Sequence, residues 1–252
     1  MKTKACIFLL ILSLSLYSQN SNLNGAVIHY KILNNTGRPN TLDAILFVNG
    51  QVTIHLPKYS TKVLNDAKQE AKEKNKMTFD PFYTKVDHKA KEILFFESIG
   101  QQLFLIKDDY NQLKWDITEE IKTIGGYQSV KATTIYRGRK WVAWFAPEIP
   151  LPYGPWKLHG LPGLITEVYD ETGMYTWRIE KIEYRRDGIF DKEFSSLVET
   201  KNIKPISVKQ YLEDGEEYDT NVEAEMRQMN PSMGAVVKAP RGGYELKYEW
   251  EE

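Results

Sequence analysis

The sequence predicts a mainly β fold: an antiparallel, strongly curved sheet or half-barrel with one or two peripheral helices, or alternatively a closed β-barrel. Three observations predict it. Apolar residues alternate at period two through most of the chain. Turn signals such as Asn49-Gly50 and Arg137-Gly138 separate neighbouring runs, the mark of hairpins. Aromatic residues make up 12% of the chain, with 15 Tyr and 6 Trp, and these residues favour strands. Roughly ten strand-like segments stand against two helical ones, and a flat sheet of that many strands would curl.

Residues 1–18 read as a signal peptide. Lys2 and Lys4 precede an apolar run from Ala5 to Tyr17, too short to span a bilayer, and Ser18 supplies a small residue for cleavage. Residues 19–252 then form a single β-rich domain. The one cysteine, Cys6, sits at the start of the apolar run, whereas a lipid-anchor cysteine belongs at its end. The chain beyond the leader has no thiol. That excludes disulfides, thiol chemistry and cysteine-held metals there. No later stretch is long and apolar enough for a transmembrane span.

The first strand runs through "GAVIHYKIL", with Ala26, Ile28, Tyr30 and Ile32 on one face; Thr36–Pro39 ends it. "DAILFVNGQVTIHLP" reads as a hairpin on a type I′ Asn49-Gly50 turn, pairing Phe47 with Val52 and Ile45 with Ile54. Thr61–Met77 is highly charged with few anchors, an exposed helix or a mobile loop. "EILFFES" and "QQLFLIK" form a hairpin around Gly100, and "LKWDITEE" is a short strand with Trp115 and Ile117. A further hairpin turns at Arg137-Gly138. "LITEVYD" and "MYTWRIEKIEY" follow, the latter with Tyr175, Trp177, Ile179 and Lys181 on one face. After Pro205, Ser207–Gln210 forms a capping box that opens a polar, partly helical part around 207–230, interrupted at Gly215. "GYELKYEWEE" alternates strictly, as a half-buried or edge strand does.

Charge and motifs narrow the function classes. With 33 basic and 34 acidic residues the formal charge is −1, so neither nucleic acid nor an anionic membrane surface is an expected partner. No nucleophile-elbow, zincin, dinucleotide, phosphate-loop or EF-hand pattern occurs. The four histidines, His29, His55, His88 and His159, are far apart in sequence. No metal and no cofactor is expected. Adjacent acids such as Glu119/Glu120 read as solvated surface. The segment from Tyr136 to Gly160 differs: it sets cations among aromatic residues, a mix that binds an acidic or π-rich ligand. The candidate binding residues are Arg137, Arg139, Trp144, Glu148, Lys157 and His159, with Glu148 placed to pair with Arg139. The plainer reading is a hairpin whose aromatics pack inward while its cations snorkel outward. Leu161-Pro162-Gly163-Leu164 fits a type II turn. Gly160 allows a close backbone approach, and Leu164-Ile165 opens the next strand.

The stretch "KATTIYRGRKWVAWFAPEIPLPYGPWKLHGLPGLITEVYD" resembles the signature of the GLPGLI family of exported Bacteroidota proteins, named for the hexapeptide at Gly160–Ile165. The hallmark residues here are Gly154, Pro155, Gly160, Leu161, Pro162, Gly163, Leu164 and Ile165. The resemblance implies export to the periplasm or cell exterior and a β-rich fold, but no established activity. Many relatives carry a cysteine where this chain has Ser129, so any role of that cysteine does not transfer. Ala146-Pro147-Glu148 stands where Thr-Pro-Glu is common. The expectation is an exported, non-enzymatic envelope protein that binds an unknown ligand or envelope partner. One alternative is a carrier of a lipid or other apolar ligand; another is a hydrolase using distant carboxylates or His159.

Overall fold

The computed structural model describes residues 25–58, 83–185, 204–232, 234 and 240–251. The expected leader and the charged segment 61–77 lie outside them. Twelve strands form one sheet: β1 (Gly25–Asn34), β2 (Asn40–Asn49), β3 (Val52–Lys58), β4 (Thr84–Asp87), β5 (Glu92–Ile99), β6 (Gln102–Asp109), β7 (Asp116–Ile124), β8 (Tyr127–Tyr136), β9 (Arg139–Ala146), β10 (Leu164–Asp170), β11 (Tyr175–Arg185) and β12 (Ile206–Ser207). Among the described residues one helix, α1 (Val208–Met229), follows. The strand order is β12-β6-β5-β4-β3-β2-β1-β11-β10-β9-β8-β7. Neighbours pair antiparallel except β12 with β6. Two hairpin meanders thus meet where β11 returns beside β1. The edges β12 and β7 remain apart, so the sheet is open and not a barrel.

The sheet curls hard. Seven strands lie between β6 and β9, which at about 4.8 Å per strand puts them roughly 40 Å apart in a flat sheet. Yet Arg137, in the turn before β9, reaches Asp108 on β6 at 2.8 Å. The inner face carries the main core, built on Ile28, Tyr30, Ile32, Leu46, Trp141 and Trp177. The loop 147–163 between β9 and β10 folds into this concavity and buries Ile149, Tyr153, Trp156, Leu158 and Leu161. A second cluster, Val27, Ile45, Phe47, Ile54, Phe96 and Leu105, is buried apart from it. Strand β2 therefore reads as a continuous apolar run, the pattern of a strand covered on both faces.

Several local expectations change. The β2–β3 turn places Gly50 and Gln51 between the paired Asn49 and Val52, so Phe47 pairs with Ile54 and Ile45 with Leu56. Only Gly50 has positive φ there (+58°). That fits a II′-type turn, not a I′ turn centred on Asn49-Gly50. The same faces still pair. In β11 a bulge opposite His29/Tyr30 pairs Ile179 with Tyr30 and Lys181 with His29. The alternation slips there, and Lys181 is exposed rather than on the buried face. Helix α1 is capped by Ser207, whose Oγ accepts from the Gln210 N–H at 3.1 Å, and it runs unbroken through Gly215. Val208, Tyr211 and Leu212 anchor its first turns against the β5–β6 hairpin. Segment 243–251 is not a strand. The Leu246 and Lys247 N–H groups both donate to the Arg137 carbonyl (2.9 and 3.2 Å), and Glu245 turns inward instead of toward water.

Candidate functional site

The 147–163 loop is held by backbone geometry. The Leu161–Leu164 stretch is not a type II turn: the Gly163 N–H donates to the Leu161 carbonyl at 2.8 Å, and Leu164 donates across to Ile149 at 3.1 Å. That is a three-residue turn around Pro162. A Cβ on Gly163 would lie 2.3 Å from the Ala146 carbonyl oxygen. The close approach expected at Gly160 belongs to Gly154, where a Cβ would meet Ile165 Cδ1 at 2.5 Å; Gly160 has open space and a φ of +93°. Trp156 takes φ +56°, a costly conformation for a bulky side chain. It turns the indole into the concavity, 5.8 Å from Trp141 and 5.3 Å from Tyr244.

The next residue, Lys157, enters a buried ion cluster. Its Nζ donates to Asp108 at 2.6 Å and to both oxygens of Glu245 at 2.9 and 3.1 Å. Arg137 grips Asp108 with two nitrogens at 2.8 and 3.0 Å, and reaches Glu245 at 2.8 Å and Glu249 at 3.1 Å. The Arg137, Lys157 and Asp108 side chains are each at most 1% exposed. Burial opposes the Asp108 charge, but Lys157 and Arg137 outweigh it and hold this carboxyl below its ordinary range. Arg139 donates to Asp170 at 2.9 Å and to the Gly243 carbonyl at 2.6 and 2.9 Å. These contacts clasp the 240–251 segment and β6 to the β8–β9 turn.

The six sequence candidates therefore do not share one surface. Arg137, Arg139 and Lys157 neither snorkel outward nor offer free charge; acids at Asp108, Asp170, Glu245 and Glu249 occupy them. Glu148 is exposed and is not the partner of Arg139. Trp144 projects from the face of β9 opposite Arg139, with the Lys122 ammonium 4.2 Å over its ring. There Glu167, 3% exposed, pairs with Lys122 at 2.6 Å and with Arg178. Ser129 is fully buried and its Oγ lies 2.8 Å from the Thr166 hydroxyl.

His159 sits in a ring cluster that sequence distance hid. Its Nδ1 lies 2.8 Å from the Lys157 carbonyl. Its ring is 4.5 Å from Tyr110 and 5.2 Å from His88, and His88 stacks on Tyr153 at 4.4 Å. His88 is bonded at both nitrogens, to Thr53 and Tyr110. Burial, with His159 nearby, pushes the His88 imidazole down to about 4. Burial likewise lowers His159. Among the described residues no group of three metal-ligating side chains comes together.

Between the sheet, Trp156 and the C-terminal segment lies a cavity of about 400 Å³, within the size range of small-molecule sites. Ile32 and Leu42 floor it, Phe95, Trp156, Tyr175 and Tyr244 wall it, and Leu212 of α1 reaches it. Its polar lining includes Lys157, Arg241 and Glu245, and two further groups, His55 and Glu97. His55, 3% exposed, has no hydrogen-bond partner for Nε2 among the described residues. Burial pushes its imidazole down to about 3, so it is neutral. Glu97 is pushed up to about 7, by burial first and then by the neighbouring Glu245, against the pull of Lys157. Two carboxylates in one cavity are the raw material of an acid–base pair. Both Glu245 oxygens are already engaged, by Lys157, Arg137 and Tyr248, which leaves Glu97 as the acid open to a guest.

No protein-family model matches the chain, and no curated protein matches it by sequence. Among solved structures it is similar to PNGF-II in two crystal forms. The C2 form aligns with a TM-score of 0.55 and 19% identity, over 77% of this chain and 33% of that one. The P21 form aligns with a TM-score of 0.54 and 20% identity, over 77% and 34%. The chain thus spans about a third of the PNGF-II chain. A Vibrio parahaemolyticus domain described as an outer membrane lipoprotein-sorting protein domain aligns at 0.34 with 10% identity, too low to argue from. No described helix is long and apolar enough to cross a membrane. The likeness to PNGF-II shows a shared fold and nothing further.

Proposed function

We propose that this chain is an exported binding module of the cell envelope, of the GLPGLI type, that holds a small and largely apolar ligand within its curved sheet. The observation that carries this reading is the cavity itself: about 400 Å³ with a mainly apolar and aromatic lining, and with the buried His55 Nε2 beside it lacking a hydrogen-bond partner among the described residues. A space of that size holds about a dozen waters, yet most of its wall cannot hydrogen-bond them, so an apolar guest displaces them favourably. The hallmark loop serves this site by placing Trp156 on its wall. Lys157 of the same loop lines the cavity while its ammonium is engaged by Asp108 and Glu245.

A titration with N-phenyl-1-naphthylamine, an uncharged apolar dye, tests the reading. Saturable one-to-one fluorescence enhancement is expected with the folded chain. Leu42→Phe, which adds bulk into the cavity, should weaken the dye at least tenfold while circular dichroism and thermal midpoint hold. Absence of saturable binding, or equal binding by a well-folded Leu42→Phe, would overturn it.

A further inference from the structure

The cavity has a chemical bias that its volume does not express. In and beside it stand three cations, Arg137, Lys157 and Arg241, and five carboxylates, Glu97, Asp108, Glu245, Glu249 and Glu251. Arg241 is matched by Glu251 at 2.6 Å. Arg137 and Lys157 share Asp108, Glu245 and Glu249. Each of these cations is therefore matched by a carboxylate before Glu97 is counted. Glu97 lies on the inner face of β5 two residues from Phe95, so both side chains point into the concavity.

The walls have the matching property. Aromatic faces attract cations, and the protein's own cations already use rings here. Lys157 Nζ lies 4.3 Å from the Phe95 centroid and 5.3 Å from that of Trp156. The Arg241 guanidinium lies 5.1 Å from Tyr248. The neutral His55, its Nε2 unpartnered at the cavity wall, adds a polar contact without adding positive charge.

We infer that the cavity selects ligands carrying an amine or another organic cation on an apolar body, with Glu97 as counter-charge and Trp156, Tyr175 and Tyr244 around the apolar part. This rests on the binding reading above and adds the class of ligand. A neutral ligand leaves Glu97 only Lys157, which Asp108 and Glu245 already engage. An anionic ligand sets a further negative charge beside Glu97 and Glu245.

Displacement of N-phenyl-1-naphthylamine by dodecylamine, 1-dodecanol and dodecanoate, three chains differing in the head group, tests it. Dodecylamine should bind at least tenfold tighter than 1-dodecanol, with dodecanoate weakest. In Glu97→Gln the amine-to-alcohol ratio should fall to within about twofold. If 1-dodecanol displaces the dye but the amine has no advantage, or if Glu97→Gln keeps the full advantage, the cation preference is overturned while the cavity reading stands. If none of the three displaces the dye, both readings are overturned.

Discussion

Asp108 occupies a position that sequence alone reads as an ordinary acid near a strand end, yet it is the shared anion of Arg137 and Lys157. Removing one partner of a buried charge cluster leaves uncompensated charge, at a cost of about 3–5 kcal/mol. Asp108→Ala should lose stability of that order in urea unfolding. Glu249, whose side chain is 49% exposed, should cost at most about 1 kcal/mol as Glu249→Gln. Glu97 acts with the opposite sign. Its folded value, about 7, lies above its ordinary 4.5, so the folded state favours the protonated acid. That contribution is complete below pH 4.5 and is lost as pH rises through about 7. Glu97→Gln should therefore stabilise the empty protein at about pH 8, by on the order of 1–3 kcal/mol, and leave it nearly unchanged at pH 4.5. Thermal unfolding at the two pH values checks this.

At the level of elements, the 147–163 loop is a plug whose glycines have separate duties. Gly163 and Gly154 are pressed against backbone or core atoms, whereas Gly160 needs only its positive φ. Gly163→Val should therefore abolish folding or cost several kcal/mol. Gly160→Ala should cost only about 1–2 kcal/mol, read as a modest drop in the denaturant midpoint. Most of the strands were legible because each alternates or turns locally: the β5–β6 hairpin at Gly100 and the Arg137-Gly138 turn both lie where the residues put them. The Tyr244–Trp250 segment was not legible. Its alternation mimics a strand, while the cations that draw Glu245 and Glu249 inward sit about a hundred residues earlier in the chain. The cavity was illegible for the same reason. Ile32, His55, Glu97 and Trp156 meet only through the curl of the whole sheet.

At the scale of the molecule, an open twelve-stranded sheet is kept curled by three devices: the plug, the ring cluster around His88 and His159, and the ion clasp. The ring cluster and the clasp weaken in acid, and so does the cavity wall at His55. His55 and His88 have folded values of about 3 and 4 against an ordinary 6.5. Their contribution is complete above pH 6.5 and falls away as pH drops toward 4 and then 3. The lowered Asp108 adds a second loss below about pH 3.8. Glu97 works the other way between about pH 7 and 4.5, so the histidine loss is read in Glu97→Gln: there the thermal midpoint should fall progressively from about pH 6.5 downward and steepen below about pH 4, and a flat profile between about pH 7 and 4 in that variant would contradict this. The central claim is that the concavity is the binding site. Its most direct measurement is the set of intermolecular nuclear Overhauser effects from bound N-phenyl-1-naphthylamine to side-chain methyl groups. Contacts to Ile32, Leu42 and Leu212 are predicted. Contacts confined to exposed apolar residues such as Ile117, Ile121 and Ile135, with none to the cavity methyls, would contradict it.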